Sequence, residues 1–128
     1  MEEMKDIKIK VEIEIKITQE DIDDIMSAAL DGGINYWCEK AEVDGDYLGE
    51  YASEQISRGG NLKLYDSEDD KVYTLTREKL LEGIQKYLAD PNKPYDILDG
   101  HTIDCCIVDD VVADIMIQYA IFGDLIYG

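Results

Sequence analysis

Positive charge is what this sequence has least of. Its 128 residues carry 30 Asp and Glu against 12 Lys and Arg, a formal net charge of −18, and only Arg58 and Arg77 are arginines. Phosphate binding needs clustered Lys and Arg, so the balance argues against direct nucleic-acid binding and, on the same ground, against an anionic membrane surface. A single histidine, His101, leaves the commonest general base one candidate. The three cysteines, Cys38, Cys105 and Cys106, are an odd number and two are adjacent. Met1 is followed by Glu2 and Glu3, the wrong charge for a secretory leader, so reduced thiols and an intracellular home are expected. The most apolar run, Cys105 to Phe122, contains Asp109, Asp110 and Asp114 and does not read as a membrane span.

Chemical motifs are equally scarce. Neither GxxxxGK[ST] nor GxGxxG occurs, so Arg58-Gly59-Gly60 is no phosphate loop, although its backbone could form a small anion nest. Asp66, Glu68 and Asp70 have the spacing of a calcium loop, but Lys71 stands where glycine is needed and Arg77 where glutamate is needed. His101, Cys105 and Cys106 are zinc-type ligands, yet adjacent cysteines rarely face one ion and no second pair follows. The thiols lie beside an apolar run and many carboxylates, which favours the protonated form over a nucleophilic thiolate. No catalytic residue, metal or cofactor is expected, and the chain reads as a non-enzyme.

What is present is strong periodicity. Hydrophobic residues make up 45% of the chain, enough for one domain over residues 1–128. Ile7, Ile9, Val11, Ile13, Ile15 and Ile17 alternate with Lys and Glu, which predicts a leading strand with one buried face. That strand is long enough to be shared between two chains, which leaves a homodimer open beside a single-chain sheet. Thr18 caps a helix whose stripe is Ile22, Ile25, Met26 and Ala29, ended by Asp31-Gly32-Gly33 with glycine available for a left-handed cap. A hairpin is expected next, Tyr36–Val43 against Tyr47 to Ile56 through Asp44-Gly45. On its first arm Trp37, Ala41 and Val43 share one face, and Tyr36, Cys38, Lys40 and Glu42 the other. A second hairpin, Asn61–Asp66 and Lys71–Leu75, turns at Ser67-Glu68-Asp69-Asp70. Thr76 caps a helix over Arg77–Ala89 with Leu80, Leu81, Ile84, Tyr87 and Leu88 inward. Pro91 and Pro94 enforce a loop, under which Tyr95, Ile97 and Leu98 pack before Asp99-Gly100 turns the chain. A last helix lies within Asp104–Phe122, apolar nearly all round except for Asp110, Asp114 and Gln118. Gly123 stops it, and Leu125–Tyr127 is read as a short strand. The sum is an α+β fold, a mostly antiparallel twisted sheet of about five strands packed with about three helices.

Two groups of residues could carry function. Asp44, Asp46, Glu50, Glu68, Asp69 and Asp70 fall at or near the two expected hairpin turns, where an acidic surface can enter a basic groove on another protein. Tyr36, Trp37, Tyr47, Tyr51, Gln55, Ser57 and Arg58 combine aromatic faces, polar readers and a guanidinium, a composition suited to a nucleotide-sized ligand. The plain alternative is that the tyrosines sit on strands and Trp37 anchors the core.

The stretch YWCEKAEVDGDYLGEYASEQISRGGNLKLYD, with the closing IMIQYAIFGDLIYG, resembles small acidic proteins encoded by bacteriophages and prophages. The likeness runs from Thr18 to the C-terminus, while the Lys/Glu-rich leading strand looks more individual. The resemblance implies a phage accessory protein acting in the host bacterial cytoplasm. Proteins of this size and charge include anti-CRISPR and other counter-defence proteins, and no functional residue is carried over from them. The first expectation is therefore a non-enzymatic inhibitor whose acidic surface blocks the basic face of a host nucleic-acid-binding defence nuclease. A nucleotide-signal sponge using the aromatic and Arg58 cluster is the alternative, and a structural or assembly role in a phage the third.

Overall fold

A computed structural model of the chain describes residues 13–128. The expected leading strand lies largely outside them. Its described remainder, 13–17, belongs to no strand and carries an isolated parallel bridge between Lys16 and Thr102. The Lys16 N–H donates to the His101 carbonyl at 2.7 Å, and Ile15 and Ile17 pack against the core.

Helix α1, Gln19–Ala28, starts where a capping box forms: Thr18 Oγ1 accepts from the Asp21 N–H at 3.1 Å and the Asp21 carboxylate accepts from the Thr18 N–H at 2.9 Å. Ile22, Ile25, Met26 and Ala29 are all buried, as their spacing requires. The helix does not end in a left-handed glycine. It passes into a π-helical turn, Ala29–Gly33, with Gly32 extended. The glycine that matters is Gly33, where a Cβ would lie 2.6 Å from the Asp110 carbonyl oxygen.

Strand β1, Cys38–Asp44, does not pair with the segment after Asp44-Gly45. Its antiparallel partner is β2, Asn61–Asp66, and β2 pairs in turn with β3, Val72–Leu75. The expected second arm, 47–56, is a loop followed by a short 3-10 turn, Ala52–Glu54. Alternation decides the contest. Leu62, Leu64 and Asp66 all point inward from β2, whereas Tyr47, Leu48 and Tyr51 are exposed and offer no continuous buried face. A bulge at Glu39 corrects the expected faces as well: the register shifts between Cys38 and Lys40, which turns Cys38 into the core with Ala41 and Val43. The β2–β3 hairpin forms as expected.

Helix α2, Arg77–Ala89, is capped by Thr76 Oγ1, which accepts from the Lys79 N–H at 3.1 Å. Leu80, Ile84 and Tyr87 are buried and Leu88 is half-buried, but Leu81, expected inward, is exposed. After the proline loop Ile97 is buried, but Tyr95 is exposed and not packed beneath it. Leu98–Asp99 (β4) and Thr102–Ile103 (β5) form a two-residue ribbon around Gly100. Helix α3 starts later than the earliest expected residue, at Asp110, because Asp109 caps it by accepting from the Val112 N–H at 2.9 Å. It ends at Phe122 with Gly123 left-handed at φ +76°. Leu125–Tyr127 is not a strand; its backbone is held by Gln118 instead.

The result is α+β: the described residues form three α-helices and five antiparallel strands divided between a β1-β2-β3 sheet and the β4–β5 ribbon. Leu62, Leu64 and Leu75 from the sheet join Ile25, Met26, Leu80, Met116 and Ile117 from the helices in one core. No helix among the described residues is long and apolar enough to cross a membrane.

Candidate functional site

The strand order splits the six acidic candidates into two groups. At one end of the sheet Cys38 pairs with Asp66, next to the β2–β3 turn; at the other Asp44 pairs with Asn61. Six residue steps along β1 put these ends about 20 Å apart. Asp44, Asp46 and Glu50 therefore belong to one end and Glu68, Asp69 and Asp70 to the other.

The β2–β3 tip is an ordered acidic projection. Ser67 donates both its N–H and its hydroxyl to the Trp37 carbonyl, each at 2.9 Å. The Asp66 carboxylate, buried, accepts from the Glu68 N–H at 2.8 Å. Asp69 accepts from the Lys71 N–H and from the Tyr73 hydroxyl, both at 2.9 Å. Partial desolvation would raise the Asp69 pKa, but these two donors, the Lys71 charge and its own N–H together hold the group below its ordinary value. Asp70 takes a left-handed backbone at φ +55°, which closes the turn. The carboxylates of Glu68 and Asp70 make no hydrogen bond or ion pair among the described residues, and both face solvent.

The other end is the loop from Gly45 to Gly60. Gly45 is left-handed at φ +87° and turns the chain out of β1. Buried Gln55 then holds the loop from beneath: its Oε1 accepts from the Leu48 N–H at 3.0 Å and its amide donates to the Asp46 carbonyl at 3.1 Å. Glu54 accepts from the N–H groups of Tyr51 at 3.0 Å and Glu50 at 2.9 Å; these bonds, with a lesser contribution from Arg58, lower its pKa. Ser57, also buried, donates to Asp23 at 2.5 Å. Arg58 lies 3.5 Å from Glu54, and Arg77 donates to the Ser57 carbonyl at 3.3 Å. Gln55 and Ser57 thus bond inside the loop, while Tyr47, Leu48 and Tyr51 stand outside it with Asp46 and Glu50.

The aromatic cluster is thus divided. Trp37 is 1% exposed and belongs to the core, stacked on Tyr127 with ring centroids 5.7 Å apart. Its Nε1 donates to Asp114 Oδ1 at 2.7 Å, and the Tyr36 hydroxyl donates to Asp114 Oδ2 at 2.5 Å. Burial first, then Asp114, pushes the Tyr36 phenol up to about 12. Gln118 donates to Asp114 at 2.9 Å and to the Tyr127 carbonyl at 3.1 Å, and accepts from the N–H groups of Ile126 and Tyr127. The Tyr127 hydroxyl reaches Asp66 at 2.8 Å. A polar network thus runs from α3 through the C-terminal residues to the root of the acidic tip. Asp114 and Gln118 stood out in the sequence as the polar stripe of an apolar helix; nothing marked Tyr127 or Asp66 as their continuation.

Two cavities lie away from these residues. A groove of about 530 Å³ is walled by Ile13, Ile15 and Ile17 on one side and Leu81, Ile84 and Leu88 on the other. A smaller one, about 240 Å³, lies between the π turn and β1, lined by Leu30, Ile34, Cys38 and Ala52. Neither includes Tyr47, Tyr51, Gln55, Ser57 or Arg58. Among the described residues no group of three or more His, Cys, Asp or Glu side chains is placed to hold a metal ion. Burial, followed by the Asp21 carboxylate 3.1 Å away, pushes the Cys105 thiol up to about 12, and burial raises Cys38. Both therefore favour the inert thiol.

No protein-family model, curated protein or solved structure matches the chain. The resemblance to small acidic phage proteins draws no support from these comparisons.

Proposed function

We propose that this protein is a non-enzymatic binding protein that sets an acidic projection into a basic site on a partner protein. The observation that carries the reading is the ordered β2–β3 tip, with Glu68 and Asp70 exposed and the backbone around them fixed by Ser67, Asp66 and Asp69. A tip ordered before contact loses little entropy on binding. Few of the surplus carboxylates are neutralised: three ion pairs occur among the described residues, Lys40–Glu42, Arg58–Glu54 and Lys63–Asp44. Net charge of −18 steers such a protein toward a positive groove.

The narrower form of the proposal takes the partner to be a bacterial defence nuclease and the protein to be an anti-CRISPR-like counter-defence factor of a phage, acting in the host cytoplasm. It is supported by the charge, the size and the sequence resemblance. The test is inhibition of RNA-guided nucleases by the purified protein and by a Glu68→Gln/Asp70→Asn variant. Asn suits the left-handed position, and neither side chain holds the tip together, so the fold is retained. Inhibition that weakens as salt rises and falls at least tenfold in the variant is the expected result. Equal inhibition by parent and variant would remove the tip from the mechanism, and salt-independent inhibition would remove the electrostatic basis.

A further inference from the structure

The loop end of the sheet has a composition that the acidic tip lacks. Tyr47 is 61% exposed, Leu48 51% and Tyr51 63%, within one short segment that also contains Asp46 and Glu50. Exposed aromatic side chains normally reduce their contact with water by folding onto the nearest core. Here the backbone is held so that they do not. Gln55 occupies the space beneath the loop and binds both Asp46 and Leu48 through their peptide groups. Glu54 holds the Glu50 and Tyr51 N–H groups. Gly49 lies so close to this support that a Cβ there would stand 2.7 Å from that of Glu54. The loop is fastened by its main chain, and its large side chains are left free to meet a partner.

Tyrosine is the residue most suited to such a surface, because it presents a large stackable face with few rotatable bonds. Asp46 and Glu50 make no ion pair among the described residues, while the nearby Arg58 is taken up by Glu54. A guanidinium satisfies both features at once. Its plane stacks on a tyrosine ring, its fork pairs with a carboxylate, and it is less strongly hydrated than an ammonium. A lysine can supply the charge but not the plane.

We infer that the Asp46–Tyr51 loop is a docking surface for an arginine-bearing segment of a partner protein, with guanidinium groups lying on Tyr47 and Tyr51 and pairing with Asp46 and Glu50. The inference shares with the acidic-binder reading only the sign of the partner's charge; it concerns the opposite end of the sheet and selects arginine over lysine.

The experiment titrates the full-length protein with an alternating Gly–Arg peptide and a Gly–Lys peptide of equal length, by calorimetry and by amide shifts around Leu48. The Arg peptide is expected to bind roughly tenfold more tightly, with the shifts centred on residues 46–51. Tyr47→Leu/Tyr51→Leu keeps apolar area at exposed positions and removes only the rings, so the melting temperature should hold while the preference disappears. Glu68→Gln/Asp70→Asn should leave the preference intact. Equal affinity for both peptides, absence of binding, or a preference that survives the double leucine variant would each overturn the inference. Nuclease inhibition without arginine preference would defeat this inference alone. Arginine-selective binding without inhibition of any nuclease would defeat the narrower functional proposal alone.

Discussion

Gly83 sits inside α2, where helix propensity alone would favour alanine by about 1 kcal/mol. The tertiary structure reverses that sign. A Cβ at Gly83 would press on the Met116 carbonyl oxygen and stand 3.0 Å from the Ala120 methyl, so the close approach of α2 to α3 depends on the missing side chain. Gly83→Ala is expected to destabilise the protein by about 2 kcal/mol, the usual cost of forcing atoms into a packed contact. Urea denaturation measures it, and a stabilised variant would show that the helices can separate freely. The amphipathic stripe of α2 gave no sign of this role for Gly83, because the partner it makes room for lies on another helix. Asp114 tells the same story in polar terms. Its place on α3 was legible, but the three donors that satisfy it come from Tyr36, Trp37 and Gln118, the first two almost eighty positions away along the chain.

At the scale of elements, the C-terminal segment after α3 behaves as a strap. Gln118 holds its backbone, Tyr127 stacks on Trp37, and the Tyr127 hydroxyl binds the Asp66 carboxylate that also fixes the Glu68 N–H. The hydrogen bond to Asp66, and secondarily burial, push the Tyr127 phenol from 10.0 up to about 12. The folded state thus binds this proton more tightly than the unfolded chain does. Its contribution is complete below about pH 10, the ordinary tyrosine value, and is lost as pH rises through about 12. Loss of the strap should be visible in near-ultraviolet circular dichroism, because Trp37 is the sole tryptophan and lies against Tyr127. Tyr127→Phe should shrink the alkaline transition without abolishing it, since Tyr36 is raised to about 12 by its own burial and by Asp114. Identical alkaline titrations of parent and variant would show that the hydroxyl does not fasten the strap.

For the whole molecule, the dominant fact is self-repulsion. A formal charge of −18 on a single small domain opposes the compact state, and added salt screens it. The three ion pairs among the described residues all have partly exposed partners and contribute little. The melting temperature is therefore expected to rise between low and moderate sodium chloride, while affinity for a basic partner falls over the same range. A melting temperature that drops with salt would mean that local ion pairs outweigh the net charge. The opposite responses of stability and binding follow from one cause, and calorimetry at a series of salt concentrations measures both.

Local order was decided by the sequence itself. The caps at Thr18, Thr76 and Asp109 start helices because a short side chain can bond the free N–H groups of the next turn, whatever lies elsewhere. The alternation in Asn61–Asp66 and the turn at Ser67–Asp70 make the β2–β3 hairpin for the same reason: both arms and their connection are neighbours along the chain. Pairing at a distance was settled only by the tertiary structure. The sequence around Asp44-Gly45 resembles a hairpin, yet β1 reaches past the Gly45–Gly60 loop to β2, because Leu62 and Leu64 bury a continuous face that Tyr47–Ile56 does not offer. That single change of partner turns an expected strand into an exposed aromatic loop, takes Gln55 and Ser57 into internal hydrogen bonds, and places the two acidic groups at opposite ends of the sheet. Periodicity tells which face of an element is buried; the buried area gained by competing pairings determines which partner covers it.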